Sequence, residues 1–187
     1  MISNIKTSQR NENVDLIIFD RDGTLIENIS YLSDVTKIKF KTEVIATLKE
    51  LQELGYQMVV ATNQSGIGRK LISETEVNNI HKEITKRLYD HGIKLDEFIY
   101  CPHLPTNCCS CRKPENGMIE EIIAKKKVDR SHVVFVGDMI TDAIAASRSS
   151  VKSILVSKDP NLMTMLPSNC DLINDFKQLL SVLNKEL

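Results

Sequence analysis

The stretch "LIIFDRDGTLI", Leu16 to Ile26, runs an unbroken apolar segment into two carboxylates, Asp20 and Asp22, that flank a single arginine. A short β-branched and aromatic run with no polar alternation reads as a strand buried on both faces. Acids where such a strand stops either finish a turn or perform chemistry. The rest of the chain decides between the two.

On the carboxyl side, β-branched runs alternate with amphipathic segments. "VDLIIF" is a strand, "TEVIATLKELQEL" a helix with Val44, Ile45, Leu48 and Leu51 on one face and a stop at Gly55, and "YQMVVA" a second strand. Ser73 and Glu76 in "SETE" make a capping box for a long helix reaching about Gly92, and "EFIYC" comes next as a strand. A helix from Met118 to Lys126 leads into "HVVFV", as continuously apolar as the first strand. A helix from about Asp142, the strand "SILV", a short strand at "DLI" and a final helix in "DFKQLLSVLNKEL" complete the chain. Strands alternating with helices predict an α/β fold: three αβα layers around a central parallel sheet, Rossmann-like in build.

The 187 residues suit one domain, spanning 14–187, with residues 1–13 read as a polar, loosely held extension. A formal net charge of −1 argues against nucleic-acid or anionic-membrane partners. No apolar run approaches the roughly 20 residues of a membrane span, and "MISNIKTSQRNENVD" lacks a signal-peptide core, so a cytoplasmic protein is expected. His81, His91 and His132 sit on or beside predicted helices and are read as surface histidines. Lys125 to Lys127 read as a solvated helix end, and Cys170 as a small core residue.

In parallel sheets ligands bind at the carboxyl ends of strands. The first apolar strand ends on Asp20 and Asp22, the second on Thr62 and Asn63, and "VVFVG" on Asp138. These residues are expected to converge. Carboxylates gathered at one edge repel each other unless a cation joins them, and oxygen ligands suit Mg2+, which in turn favours a phosphate partner. Asp20, on the most rigid element, suits a nucleophile that forms an aspartyl-phosphate. Asp22 suits an acid/base, Thr62 a hydroxyl donor, Lys113 in "CRKP" a cation for phosphoryl oxygens, and Asp138 a magnesium ligand.

"FDRDGT", "ATNQSG", "CRKP" and "VGDMITD", in this order, resemble the four motifs of the haloacid dehalogenase (HAD) superfamily of phosphohydrolases, subfamily IIIA. More narrowly, "FDRDGTLI", "VVATNQSGIGR", "CPHLP" and "CSCRKPENGM" look like the cap-less bacterial D,D-heptose 1,7-bisphosphate phosphatases, with the histidinol-phosphate phosphatases as sister family. The resemblance implies a cap-less HAD fold, Asp20 as nucleophile, Asp22 as acid/base, Thr62 and Lys113 as phosphoryl stabilisers, and Mg2+ on Asp20, the Asp22 carbonyl and Asp138. It also implies a substrate that is a small sugar bisphosphate, losing its C7 phosphate on the way to ADP- or GDP-heptose for lipopolysaccharide or surface polysaccharide. Asn28, Ile29, Ser30, Tyr31, Asn63, Gln64, Ser65 and Arg112 would bind it, with the Arg112 guanidinium on the second phosphate.

"CPHLPTNCCSC", the loop 101–111, holds a C-x-H pair and then a C-x-C pair. Thiolates and imidazole at this density suit structural Zn2+ on Cys101, His103, Cys109 and Cys111. Cys108 can replace Cys109 by spacing, and the family pattern C-x-C before "RKP" selects Cys109 and Cys111. Two positions depart from the heptose pattern: Ser30 stands where a glycine is usual before the tyrosine, and Met139 where a lysine often follows the aspartate. The short zinc loop has histidinol-phosphate spacing, while "NQSGIGR" and "PENGM" favour the heptose enzymes, so histidinol phosphate is the alternative substrate. A receiver-like phospho-acceptor would also place Asp, Thr and Lys at strand ends, but an acid/base at Asp22 promotes turnover. A zinc module with a defunct site does not fit the intact acid set. No heptad seam is visible, so a monomer is expected.

Overall fold

The structure, a computed structural model, describes residues 10–184. Among these, β1 (Leu16–Phe19), β2 (Gln57–Asn63), β3 (Glu97–Cys101), β4 (Val133–Gly137), β5 (Lys152–Val156) and β6 (Cys170–Ile173) form one sheet in the order β3-β2-β1-β4-β5-β6. Every pairing is parallel, with Phe19 beside Val60 on one flank and Val136 on the other. The helices are α1 (Val44–Glu53), α2 (Ser65–Gly68), α3 (Glu74–Asp90), α4 (Gly117–Lys126), α5 (Ile140–Arg148) and α6 (Leu179–Leu183). None is long and apolar enough to cross a membrane.

Alternation along the strands builds two cores. Ile17, Phe19, Met58, Val60, Val134 and Val136 face α1, α3 and α6 in one apolar cluster, while Leu16, Ile18, Val59, Ala61, Val133 and Phe135 face α4 and α5 in the other. Both faces of the sheet are covered, which is why its central strands carry no polar alternation. On α1 the buried residues are Val44, Thr47, Leu48 and Leu51, with Ile45 only half-buried. The α3 capping box forms as expected, Ser73 Oγ accepting from Glu76 N and the Glu76 carboxylate accepting from Ser73 N.

Of the expected N-terminal extension, residues 1–9 lie outside the described residues. Asn11 donates from its backbone to Tyr56 Oη and from its side chain to the Leu183 carbonyl. The chain steps from β1 outward through β2 to β3 and then returns to place β4 on the other side of β1. A reversal of strand order opens a crevice at the carboxyl ends of the two strands concerned. Asp20 and Asp138 stand at the ends of β1 and β4.

Candidate active site

Asp20 leaves β1 with its backbone N–H still bonded to the Val136 carbonyl at 2.8 Å, so the sheet ladder holds it. It is only 7% exposed. Lys113 Nζ reaches it at 2.6 Å, reaches Asp142 at 2.7 Å and donates to the Ala61 carbonyl at 2.8 Å. Burial raises the Asp20 pKa to about 7, with the charges of Asp142 and Asp22 adding to the rise and Lys113 opposing it. Burial, then Asp142, likewise lifts Asp138 to about 6. Desolvation is the leading cause of both shifts, and at Asp20 the Lys113 charge opposes it more strongly than either neighbouring acid adds to it.

The turn after β1 lets these groups approach. Gly23 takes φ +85°, and a Cβ there would collide with the Asp138 carboxylate. Thr24 Oγ1 donates to Asp138 Oδ1 at 3.2 Å. On the far side, Asp22 Oδ2 accepts from Gln64 Nε2 at 2.9 Å and lies 3.4 Å from Thr62 Oγ1. Carboxylate oxygens of Asp20, Asp138 and Asp142 come within 4.8 Å of one another, a spacing and chemistry that fit an oxygen-ligated divalent cation.

Asp142 is the site residue that sequence reasoning missed. It lies in the first turn of α5, where its Oδ2 accepts from the N–H groups of Asp138 and Met139. Its other oxygen holds Lys113. The signal was present in "GDMITD", an acid four residues after Asp138, but an acid in a first helical turn is also what the helix dipole favours.

Lys113 arrives from the loop before α4, and Asn63 holds it there. The Asn63 amide accepts from Lys113 N at 3.1 Å and donates to Lys113 O at 3.0 Å. Asn63, expected as a substrate contact, therefore spends its amide on positioning. Gln64, also expected there, bonds Asp22 and Thr62 Oγ1. Asn28, Ile29, Ser30, Tyr31, Ser65 and Met139 line a cleft of about 220 Å³ that reaches down to Asp20, Asp22, Thr62 and Lys113. Arg112 lies outside that lining, and its Nη1 is buried without a hydrogen-bond partner among the described residues.

Cys101 ends β3 in register with Asn63, which starts the cysteine loop beside the site. Cys101, His103, Cys109 and Cys111 gather their ligand atoms. Their Sγ–Sγ separations are 3.2 to 3.6 Å, and His103 Nδ1 lies 3.2 Å from Cys111 Sγ. A tetrahedron of Zn–S bonds spaces its sulfurs about 3.8 Å apart, so the cage fits zinc with slight expansion. Cys108 is exposed, turned away by a positive φ and in contact with the Thr106 carbonyl.

Lys113 is nine-tenths or more buried between two carboxylates. Lys113→Met is expected to cost about 3 kcal/mol or more of folding stability at neutral pH, because it strips two buried acids of their cation. The loss shrinks as pH falls, since the folded variant then binds more protons than its unfolded chain. Urea unfolding at two pH values reads both effects, and a pH-independent loss would contradict this account of the charges.

Fold and strand-end acids together define the class as HAD-like. A model of the polynucleotide kinase 3 phosphatase family matches residues 15–160, and the chain belongs to that family. The D-glycero-β-D-manno-heptose-1,7-bisphosphate 7-phosphatase of Haemophilus influenzae is 36% identical over 142 residues, covering 73% of this chain and 77% of that protein. The histidine biosynthesis bifunctional protein HisB of Blochmanniella floridana is 32% identical over 145 residues, covering 76% of this chain and 41% of that protein. The crystal structure of D,D-heptose 1,7-bisphosphate phosphatase from B. bronchiseptica, complexed with magnesium and phosphate, superposes with a TM-score of 0.84. Identity there is 29%, covering 93% of this chain and all of that one.

Proposed function

We propose that this protein is a phosphoric monoester hydrolase that removes the C7 phosphate of D-glycero-D-manno-heptose 1,7-bisphosphate, leaving heptose 1-phosphate for ADP- or GDP-heptose synthesis. The meeting of Asp20, Asp138, Asp142 and Lys113 at one strand edge carries the phosphatase reading. The heptose phosphatases of similar sequence support the substrate.

Asp20 attacks the phosphorus and forms the aspartyl-phosphate, while the bond to the C7 oxygen breaks and Asp22 gives that oxygen its proton. Asp22 then takes a proton from the water that attacks the phosphorus and restores Asp20. Thr62 and Lys113 donate to the phosphoryl oxygens throughout. Asp20, the Asp22 carbonyl and Asp138 would hold Mg2+, whose charge offsets the repulsion among acids and phosphate. Zn2+ on Cys101, His103, Cys109 and Cys111 would stiffen the loop that delivers Arg112 and Lys113. Arg112, with an unpartnered buried donor, suits the second phosphate, and the cleft residues from Asn28 to Tyr31 suit the sugar. The domain 14–187 would act as a cytoplasmic monomer without nucleic-acid or membrane partners.

Histidinol phosphate is the second reading, favoured by the HisB relative and by the short cysteine loop. Phosphate release with magnesium from the α and β anomers of the heptose bisphosphate, beside histidinol phosphate, separates the two. One heptose anomer is expected to dominate kcat/KM. Preference for histidinol phosphate would replace the proposal.

A further inference from the structure

Arg21 separates the two acids of the "DRDGT" motif in the turn just past β1, and its side chain reaches Asp22 and α3. It is 1% exposed, so its charge lies wholly inside the protein. Nε and Nη2 form a fork on the Asp22 carboxylate, each within 3.2 Å of both oxygens, and the shortest contact is 2.8 Å. Nη1 points the other way and meets His81 Nε2 at 3.0 Å.

His81, expected at the surface, is instead 6% exposed. It falls on the same helical stripe as Val77, Ile84 and Leu88, a placement that the apolar pattern of α3 contained but that a polar residue type concealed. Its ring stacks on Phe98 of β3 at 4.3 Å between centroids and 14° between planes, and Tyr100 packs against it tilted, at 5.6 Å. Burial, then the Arg21 charge, lowers its pKa to about 3, so the ring is neutral. A guanidinium only donates, so His81 Nε2 accepts and the ring proton sits on Nδ1.

We propose that Arg21 and His81 are positioning residues for the acid/base Asp22: His81 fixes the guanidinium, and the guanidinium fixes the carboxylate. The inference rests on the acid/base reading of Asp22. That residue sits in a turn with its side chain 20% exposed, where two torsions are free unless something holds them. Proton transfer needs the donor oxygen within about 2.6–3.2 Å of the leaving oxygen. The four near-equal contacts hold both carboxylate oxygens against the guanidinium edge, so neither turns freely. Alone, a fork swings about its own side-chain torsions and carries its partner with it. The third nitrogen, tied to a ring wedged between α3 and β3, stops that swing and connects the acid to the sheet's edge strand. Buried charge also needs the second partner, because a guanidinium N–H facing apolar surroundings is costly.

Leaving groups separate positioning from mere packing. An alkoxide such as that of a simple sugar phosphate departs only with a proton, whereas p-nitrophenolate departs without one. His81→Leu is expected to lower kcat/KM for glucose 6-phosphate by about 10–100-fold while p-nitrophenyl phosphate changes less than about 3-fold, a partial loss beside the roughly 10²–10⁴-fold that acid catalysis as a whole supplies. His81→Gln, whose amide oxygen can accept from Arg21 Nη1, is expected to restore most of the loss. Asp22→Asn serves as reference. If Asp22→Asn shows no leaving-group selectivity, the acid/base reading of Asp22 fails and takes the proposal with it. If Asp22→Asn is selective but His81→Leu lowers both substrates alike, or neither, only the positioning proposal is overturned. Nitrogen-15 NMR of the unaltered protein adds a test that no folding defect can confuse. It should show the His81 proton on Nδ1, and a proton on Nε2 would remove the bond on which the proposal stands.

Discussion

Asp20→Asn is expected to lower phosphate release by roughly 10⁴–10⁶-fold, the loss typical when a nucleophile is removed from an otherwise intact site. The fold should survive. The amide nearly matches the carboxylate in volume, the backbone bond from Asp20 to Val136 is untouched, and Lys113 keeps Asp142 as its counter-charge. Burial already pushes Asp20 up to about 7, so a neutral side chain there relieves a cost rather than adding one. The variant should therefore unfold at the same or a slightly higher urea concentration than the parent. Turnover above a few per cent with the fold intact would mean that another group attacks the phosphorus.

The second large effect concerns the cysteine loop. One zinc per chain is expected by elemental analysis, kept in Cys108→Ser and lost in Cys109→Ser. Cys109 faces Cys101 and Cys111, whereas Cys108 is exposed and turned toward Thr106. Structural zinc is worth about 10–16 kcal/mol in small peptides that cannot fold without it. Here strands and helices bury two apolar cores, with Cys101, Cys109 and Cys111 of the loop joining one of them, so losing the metal should loosen the loop and that side of the core rather than unfold the chain. A fall in thermal midpoint on the order of 10 °C is expected, since each kcal/mol moves a chain of this size by roughly 2–4 °C. Activity should fall with it, because the same loop carries Lys113 to Asp20. Equal zinc loss in both variants would show that the ligand set is shared differently.

Much of this architecture is legible in local pattern. Each central strand is a short apolar run because helices cover both faces, and α1, α3 and α4 show their apolar stripes because each packs on one side only. The strand-end acids Asp20, Asp22 and Asp138 were legible for the same reason: order and direction of strands determine which loops share an edge. Asp142 and His81 were not. Asp142 resembles any acid at a helix start, and His81 resembles a surface residue interrupting an apolar stripe. Their roles depend on what lies opposite, Lys113 from another loop and Arg21 from another strand end.

The parallel sheet, its layered helices, the acids at its carboxyl edge and the cysteine loop all arise from periodicity and short spacing along one chain. How the polar side chains are shared emerges from the folded chain. Asn63 turned out to hold Lys113, Gln64 to hold Asp22, and Arg21 to join Asp22 to His81. Burial makes each of these donors and acceptors find a partner, and the partner lies as many as 60 residues away, as it does for Arg21 and His81. No local pattern encodes that pairing, because it is set by which loops the folded sheet brings within hydrogen-bond reach.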